Sequence, residues 1–551
     1  YDVIYSSNYS SIIVINITVK DLEKLSKHDE VQSIRFLTHD YRLFDVSSEL
    51  LDCPELSEFA CTVFNPSQSY NVATNVIGTQ GSLNDGDGVT VGILEEGKPD
   101  LSNIEFQQKT FGTVTIDQSP FGVDNHATDS GIVIAGGLNG IVPHANIVHE
   151  QFEMEVTIEN FLQNVENLIE ADVNVINMSA GLLPNIASHG EYDEVSFLLD
   201  ILLLEVSVTF VKSAGNNGNR AYTMQNESDL ITSPGSASNI IVVGSTDNNG
   251  NYLSTFSSTQ TYSGSLDDGT STQLSNKPDL LAPGGQEYRY YSSPVVTQIA
   301  IYRVEVPNSE TDSFKMFGTS LAAPQVTGII AMMMDQREIL MFRPALVKTI
   351  LVAGASQDVL VKSQLSDSGL QTTSCNFDST NGYSDMCGFG LVDAEESLRL
   401  VQHQDYKSYS NNDHVIPTSG KLNIYDIEVN LIAGETVIIS NAYMRNHGSS
   451  NGGYNTYFDM SDIDIQVTGY GLNIESNASN FNSERISFVV PTTGKYLITV
   501  WLDEVNGATG ITGAFLDNIG FIVVNAGRDV EFVTIPLPPP CKPGDMCDVT
   551  Y

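Results

Sequence analysis

The chain has 551 residues, of which 41% are hydrophobic, so it is long enough for several domains with large buried cores. Its 68 acidic residues against 25 lysines and arginines give a net charge of −43. This charge repels phosphate backbones and anionic membranes, which argues against nucleic acid as a partner. The best candidate for a membrane span, residues 195–211, is interrupted by Asp200 and Glu205, so we expect no transmembrane segment.

The cysteines indicate an oxidising environment. They form three pairs that are close in sequence, and their spacings differ from those of zinc or redox sites. We therefore expect three short disulfide loops, between Cys53 and Cys61, between Cys375 and Cys387, and between Cys541 and Cys547. No signal peptide is found at Tyr1, so the chain is either cytosolic or already trimmed, and the cysteines favour a trimmed extracellular protein.

Sequons that suit a secreted glycoprotein occur at Asn8, Asn16, Asn226 and Asn477. Another, at Asn177, lies within a predicted core strand. Such tripeptides also arise by chance, so they support an extracellular location without proving it.

The first 79 residues divide into two parts. Residues 1–50 show a strand pattern at 11–18, an amphipathic helix pattern at 20–27 and a strand pattern at 31–37. Residues 51–79 are a predicted linker that contains the first cysteine loop. A generic α/β fragment is one interpretation of residues 1–50.

Strand and helix patterns alternate over residues 80–404, which predicts a parallel sheet flanked by helices. The segment 88–94 is apolar on both faces, as a buried parallel strand requires. The other predicted strands are 141–148, 173–178, 206–211 and 240–243. The predicted helices are 156–170, 195–204, 344–353 and one that begins near Ser320.

Short alternating strands replace this pattern over residues 405–535, and they predict a separate antiparallel β-sandwich. The predicted strands are 424–429, 436–440, 463–468, 485–490, 496–502 and 521–525. Residues 536–551 are Pro-rich and carry the third cysteine loop.

Ser320 lies between small residues, in Gly-Thr-Ser-Leu-Ala-Ala-Pro at 318–324, just before an apolar run. Small neighbours allow a substrate backbone to approach the hydroxyl, and a helix N-terminus favours a developing oxyanion. The alternative is an ordinary serine that caps a helix. The motif strongly resembles the nucleophile motif of the subtilisin-like serine proteases, the subtilases, and this resemblance extends over residues 80–400.

Two further blocks carry the resemblance. The sequence NHATDSGIVIAGGLNGIVPHANI, residues 125–147, is similar to the family's histidine block and implies that His126 is the general base. In it Ala127 replaces the usual glycine, and the polar pair Asp129-Ser130 replaces more apolar residues. The sequence VKSAGNNG, residues 211–218, is similar to the segment whose asparagine donates to the oxyanion, here Asn216.

The acid of the triad is where the sequence departs from the family. The family strand ends in Asp-Thr/Ser-Gly, whereas residues 93–97 read Ile-Leu-Glu-Glu-Gly, so Glu95 falls on the aspartate position. The extra methylene should move the carboxylate by about one bond length, and an error of about 1 Å can cost ~10²-fold in rate. We therefore expect slow proteolysis and a gain on Glu95→Asp. Substitutes for the acid would be Glu96, Asp100 and Asp124.

The resemblance also implies a substrate site and partners. Substrate backbone would pair with Ser179, Ala180 and Gly181, and the site would be completed by Ser213, Ala214 and Gly215. The stretch ITVKDLEKLSKHDEVQSIRF, residues 17–36, resembles the second half of an inhibitory prodomain. Residues 405–535 resemble the prepeptidase C-terminal type of sandwich.

These inferences lead to an extracellular serine endopeptidase that cleaves polypeptides and binds its own N-terminal segment. Hydrolysis of this type needs no metal or other cofactor. Bound calcium would be structural, and acidic turns such as 84–88 suit it, although a plain turn is the simpler interpretation there. The alternative function is a catalytically impaired subtilase-fold scaffold or binding protein, which Glu95, Asp129 and the retained prodomain-like segment favour, whereas the intact His126, Ser320 and Asn216 favour the enzyme.

Overall fold

The computed structural model describes the following residues: 2–25, 31, 34, 41–44, 60–64, 74, 76, 84–116, 122–152, 155–184, 192–218, 231–259, 276–292, 295–302, 306, 318–364, 370–409, 422–445, 447–448, 459–460, 462–476, 482–503 and 520–534. Most of the strand predicted at 31–37 and the sequons at Asn226 and Asn477 lie outside them.

Two of the three expected disulfides also fall outside the described residues. Cys541 and Cys547 both lie beyond residue 534, so the bond between them is not described. Cys53 lies outside as well, and of Cys61 the structure describes only the backbone, which belongs to a strand at Ala60–Phe64. The bond between Cys53 and Cys61 and the bond between Cys541 and Cys547 therefore stay predictions.

The strands up to residue 374 are, in chain order, β1 (Asp2–Ser6), β2 (Ile13–Asn16), β3 (Tyr41–Phe44), β4 (Ala60–Phe64), β5 (Thr90–Glu96), β6 (Val114–Ile116), β7 (Asn146–Phe152), β8 (Glu155–Val156), β9 (Val175–Met178), β10 (Gly181–Pro184), β11 (Thr209–Ser213), β12 (Ile241–Thr246), β13 (Tyr252–Leu253), β14 (Leu280–Pro283), β15 (Gln286–Ser292), β16 (Val295–Tyr302), β17 (Leu360–Gln364) and β18 (Leu370–Ser374).

The central sheet has the strand order β18-β17-β13-β12-β11-β9-β5-β7-β6, and β14 also pairs with β12. Its middle, from β12 to β6, is parallel throughout. The predicted parallel sheet flanked by helices is therefore confirmed. The strand expected at 141–148 begins only at Asn146, because residues 141–145 form a turn around Pro143.

The helices are α1 (Val19–Leu25), α2 (Ile104–Gln107), α3 (Asn125–Ala135), α4 (Ile158–Glu170), α5 (Glu194–Glu205), α6 (Thr319–Gln336), α7 (Pro344–Gly354) and α8 (Ala394–His403), with a 3-10 helix at Glu338–Phe342. Side-chain oxygens of Asp124, Thr157, Asp193 and Asp393 cap the N-termini of α3, α4, α5 and α8. Such caps satisfy amide groups that have no partner within the helix, and so fix where each helix begins.

Two apolar cores cover the two faces of the central sheet. On one face α3, α6, α7 and α8 pack against the strands, and α6 is buried along nearly its whole length. On the other face α4 and α5 pack through Phe161, Leu162, Leu199 and Leu202. A largely apolar helix such as α6 is expected in the interior, where it places its first turn under the sheet's carboxyl edge.

The remaining strands are β19 (Tyr406–Tyr409), β20 (Leu422–Leu431), β21 (Thr436–Ala442), β22 (His447–Gly448), β23 (Asp459–Met460), β24 (Asp462–Gly469), β25 (Leu472–Glu475), β26 (Ser483–Val489), β27 (Gly494–Asp503), β28 (Gly520–Asn525) and β29 (Phe532–Thr534). Nine of them form two antiparallel sheets, in the orders β19-β28-β21-β26 and β25-β24-β27-β20-β29, which enclose their own core, and β22 pairs with β23. In the described part of the chain none of them pairs with the central sheet, in agreement with the predicted sandwich; the exact domain boundaries stay a prediction.

The sandwich packs on α7 and the neighbouring loops through polar contacts. Ser440 Oγ donates to the Thr349 carbonyl at 2.9 Å, and Lys348 Nζ donates to Asn482 Oδ1 at 2.8 Å. Asn482 Nδ2 in turn donates to the Ser238 carbonyl at 2.8 Å. Buried hydrogen bonds of this kind fix orientation, because a shift would leave polar groups unpaired.

The N-terminal residues contact the helix-flanked domain at three places outside its central sheet. The turn between β1 and β2 lies on α4, where the Ser7 hydroxyl donates to the Glu166 carboxylate and the Asn8 amide N–H lies 3.2 Å from Glu166 Oε1. Strand β3 lies between β10 and β8, antiparallel to both. Strand β4 pairs in parallel with β16 of the hairpin β15–β16.

Candidate active site

Glu95 is the sixth residue of β5 and lies at the carboxyl edge of the central sheet. It is 1% exposed, and its carboxylate receives hydrogen bonds from three sides. Oε2 lies 3.1 Å from His126 Nδ1, and Oε1 lies 3.2 Å from both Ser130 Oγ and the Ser179 backbone nitrogen. The extra methylene therefore does not keep the carboxylate away from the imidazole, and the expected misalignment is not found.

His126 lies in the first turn of α3 and is 9% exposed. The N-cap residue Asp124 accepts the His126 backbone N–H at 3.0 Å, which fixes where the helix begins and hence where the ring lies. Because Nδ1 faces Glu95, the nitrogen that remains for proton transfer is Nε2. A carboxylate on Nδ1 favours the Nδ1–H tautomer, in which Nε2 is basic.

Ser130 is a candidate site residue that the sequence did not assign. It stands four residues after His126 on α3, so both side chains lie on the same face of the helix, towards Glu95. Its hydroxyl donates to the carboxylate oxygen that does not face His126. Two departures from the family pattern occur together, a polar residue at position 130 and a longer acid at position 95. This coincidence could have indicated the contact between them.

Ser320 is the second residue of α6 and is 2% exposed. Its hydroxyl donates to the Ser179 carbonyl at 3.0 Å, so the Ser179 peptide joins the serine to the carboxylate site of Glu95. The serine is thus not an N-cap, since Gly318 occupies that position without a side chain.

Asn216 is held so that its amide nitrogen faces the nucleophile's loop. Its Oδ1 accepts the Thr319 backbone N–H at 2.9 Å and the Thr319 hydroxyl at 3.0 Å. An added Cβ at Gly318, whose φ is +148°, would lie 2.7 Å from Asn216 Nδ2. The positive φ and this short contact both favour glycine at 318, next to the amide nitrogen of Asn216.

The predicted substrate-binding residues flank the site in two chain segments. Ser179 and Ala180 connect β9 to β10, and Gly181, the first residue of β10, already pairs with Phe44 of β3. Ser213 ends β11, and Ala214 and Gly215 follow it towards Asn216. The peptide of Thr232 and Ser233 joins the two segments, because the Thr232 N–H donates to the Ala214 carbonyl at 3.1 Å and the Leu182 N–H to the Ser233 carbonyl at 2.9 Å.

The alternative acids have other roles. Asp124 caps α3, and Asp100 closes a turn by accepting the Ser102 N–H at 2.8 Å. Glu96 follows Glu95 in the same strand, and successive strand side chains point to opposite faces. The structure thus brings Glu95 to His126, as the motif alignment predicts.

Other sequence predictions have mixed outcomes. Of the three expected disulfides, the bond between Cys375 and Cys387 is present, whereas the pairing of Cys53 with Cys61 and of Cys541 with Cys547 is not established by the described residues. Asn177 is fully buried in β9, as expected of a core strand.

The described residues also bear on metals and membranes. Among them, no group of three or more His, Cys, Asp or Glu side chains could hold a metal ion, so structural calcium stays a prediction. No helix within the described ranges is both long and apolar enough for a bilayer.

A helix-flanked parallel sheet that places His126 on Glu95, and Ser320 on the backbone of Ser179, has the architecture of a subtilisin-like fold. The chain belongs to the subtilase family, the peptidase S8 family, whose sequence model matches residues 86–390. The chain is also 24% identical over 301 residues to "Serine protease AprX" of Bacillus subtilis (strain 168), an alignment that covers 49% of this chain and 62% of that relative.

Solved structures give weaker likenesses. The self-cleaved protease domain of PatA and the prenylagaramide maturation protease PagA each have a TM-score of 0.39 at 20% identity; 58% and 59% of this chain are covered, and 98% of each of theirs. A lanthipeptide protease has a TM-score of 0.39 at 19% identity, covering 60% of this chain and 93% of the other. Likenesses of this size carry no argument about activity.

Proposed function

We propose that the chain is an extracellular serine endopeptidase in which Ser320, His126 and Glu95 form the triad and Asn216 holds the oxyanion. The observation that carries this proposal is the distance of 3.1 Å between Glu95 Oε2 and His126 Nδ1, at a site where both groups are buried. A buried carboxylate on the imidazole is what a general base needs, because it stabilises the imidazolium that forms during attack.

In the acylation step, Ser320 Oγ attacks the scissile carbonyl carbon while His126 Nε2 takes the hydroxyl proton. The carbonyl oxygen becomes an oxyanion, which accepts hydrogen bonds from the Ser320 backbone N–H and from Asn216 Nδ2. The tetrahedral intermediate collapses as His126 gives its proton to the leaving amine, and the acyl group remains on Ser320 as an ester. Water then attacks this ester, with His126 as base, and releases the carboxylic acid and the serine.

The N-terminal segment is proposed to be an inhibitor that occupies the substrate strand. In the pairing of β10 with β3, Gly181 lies opposite Phe44 and Pro184 opposite Tyr41, so the chain runs from 41 to 44 towards Ser179. The described strand ends at Phe44, opposite Gly181 and two residues short of Ser179, whose carbonyl binds the Ser320 hydroxyl. We therefore expect cleavage of the chain within residues 45–48.

Incubation of the purified full chain tests both the proteolytic activity and the expected cleavage within residues 45–48. Intact-mass analysis should show a time-dependent cut within residues 45–48, and Ser320→Ala should stay uncut under the same conditions. A cut in both chains would point to a contaminating protease. If neither chain is cut and neither gains activity after removal of residues 1–75, the scaffold function takes the place of the enzyme.

The extracellular location is supported by the Cys375–Cys387 bond, since disulfides persist in oxidising environments. Glycosylation at Asn16, the exposed last residue of β2, would support it further. Enzymatic removal of N-linked glycan from the protein purified from its native source should convert Asn16 to aspartate, a change of about 1 Da that peptide mass spectrometry detects. Protein with a reduced Cys375 and an unmodified Asn16 would contradict the proposal.

A further inference from the structure

The two segments proposed to bind substrate, residues 179–181 and 213–215, are connected by Thr232 and Ser233, which we call the floor of the site. Thr232 and Ser233 bridge them through backbone hydrogen bonds, one to Ala214 and one from Leu182. Thr232 is 1% exposed, so its side chain must lie between the segments or beneath them. Its position decides how deep a side chain can enter beside Ser320.

The Thr232 side chain lies between two glycines that face each other across this floor. A Cβ added to Gly181 would lie 2.4 Å from Thr232 Oγ1, and one added to Gly215 would lie 3.0 Å from Thr232 Cγ2. Contacts this short mean that the hydroxyl packs on the Gly181 backbone and the methyl on that of Gly215. The threonine thus fills the space between the segments at the floor.

A buried lysine holds the threonine in place. Lys212 is fully buried, and its Nζ donates to Thr232 Oγ1 at 2.8 Å and to the Ser213 carbonyl at 2.7 Å. Burial lowers the pKa of Lys212 to about 7, and the charge of Asp193 offsets part of that effect. Since the amine lies behind Thr232 with these hydrogen bonds, it does not present a positive charge to a substrate.

We propose that Thr232, positioned by Lys212, closes the pocket for the residue on the amino side of the scissile bond (P1), so that the protein selects small P1 side chains such as Ala, Ser or Val. This rests on the proposed proteolytic function. Leu, Phe and Arg at P1 would have to displace Thr232 and break the Lys212 hydrogen bond. Glu at P1 would also have to displace Thr232, because the threonine fills the space between the two segments and holds the Lys212 amine.

The test uses fluorogenic peptides that share P4–P2 and differ at P1, with the protein from which residues 1–75 have been removed. We expect kcat/KM to be about 100-fold higher for Ala than for Phe at P1, in the range that pocket size can give. Thr232→Gly should raise the Phe-to-Ala ratio at least ~10-fold, and Thr232→Ser, which keeps the hydroxyl for Lys212, should raise it less.

Thr209→Gly is the matched control, because Thr209 is equally buried but lies at the start of β11, away from the floor. It should leave the ratio unchanged even if it lowers stability. A wild-type preference for Phe, Leu, Arg or Glu at P1 would overturn the proposal, as would a Phe-to-Ala ratio that Thr232→Gly does not change. Labelling of Ser320 by a fluorophosphonate separates the two failures: labelled protein with the wrong preference refutes the pocket alone, whereas unlabelled, inactive protein refutes the proteolytic function as well.

Discussion

Glu95→Asp should lower activity, contrary to the gain that the family pattern alone predicts. Glu95 Oε2 lies 3.1 Å from His126 Nδ1, and removing one methylene withdraws the carboxylate by about 1.5 Å, beyond hydrogen-bond reach. The bonds from Ser130 and the Ser179 N–H would be lost with it. A misplacement of about 1 Å costs ~10²-fold, and complete loss of the orienting acid costs ~10⁴-fold. We expect kcat to fall by about 10²-fold to 10³-fold.

The assay is steady-state hydrolysis of a small fluorogenic peptide, with kcat and KM determined separately. KM should change little, since Glu95 is not among the proposed substrate-binding residues. Ser130→Ala should lower kcat by about 3-fold to 30-fold, because it removes one hydrogen bond to a charged group, and this effect should vanish in the Glu95→Gln background. Ser397→Ala, a buried serine on α8, is the control. A gain of activity on Glu95→Asp would refute the reasoning and restore the original expectation.

Three further predictions concern the loop of the nucleophile, the buried lysine and the disulfides. Gly318→Ala should lower kcat at least ~10²-fold in the same assay while the chain still folds by circular dichroism, because its Cβ would displace Asn216 Nδ2; unchanged kcat would contradict the proposed oxyanion donor. The pKa of Lys212 is lowered to about 7, so between about pH 7 and 10 the unfolded chain binds more protons and the folded chain gains stability as pH rises. Lys212→Met should flatten this rise by up to ~1.4 kcal/mol per pH unit in denaturant titrations, and an unchanged slope would count against the burial of the amine. Non-reducing mass spectrometry should find the Cys375–Cys387 bond and, if Cys53 also pairs with Cys61 and Cys541 with Cys547, a mass about 6 Da below that of the reduced chain; full alkylation without reductant would rule the disulfides out.

The fold followed from the sequence where apolar periodicity is strong. Helices such as α4 and α5 and the strands of the sandwich agree with their patterns to within a few residues, because each buries one clear face or its whole surface. The strand start at Asn146 was missed, since the apolar run continues through the turn at Pro143. A run of apolar residues indicates burial, not the type of secondary structure. A buried turn at the edge of a sheet therefore has the same pattern as a strand.

In the candidate site, the sequence predicts the residues that lie in local motifs but not the contacts between distant segments. The motifs predicted four site residues, because each lies in a short local pattern: Glu95, His126, Ser320 and Asn216. Three features depend on contacts between distant segments: the Ser130 hydroxyl on Glu95, Thr232 on the floor, and β3 beside β10. Strand pairing between residues 41–44 and 181–184 has no local signal, because the edge of a sheet accepts many extended sequences.

Reaction of Ser320 with a fluorophosphonate tests the central claim most directly. The protein from which residues 1–75 have been removed should be labelled stoichiometrically, and peptide mapping should place the adduct on Ser320. Ser320→Ala should not be labelled, and Glu95→Gln should be labelled far more slowly, because the base loses its orienting acid. If the native protein is not labelled, or is labelled only as slowly as Glu95→Gln, then Glu95, His126 and Ser320 do not act as a triad.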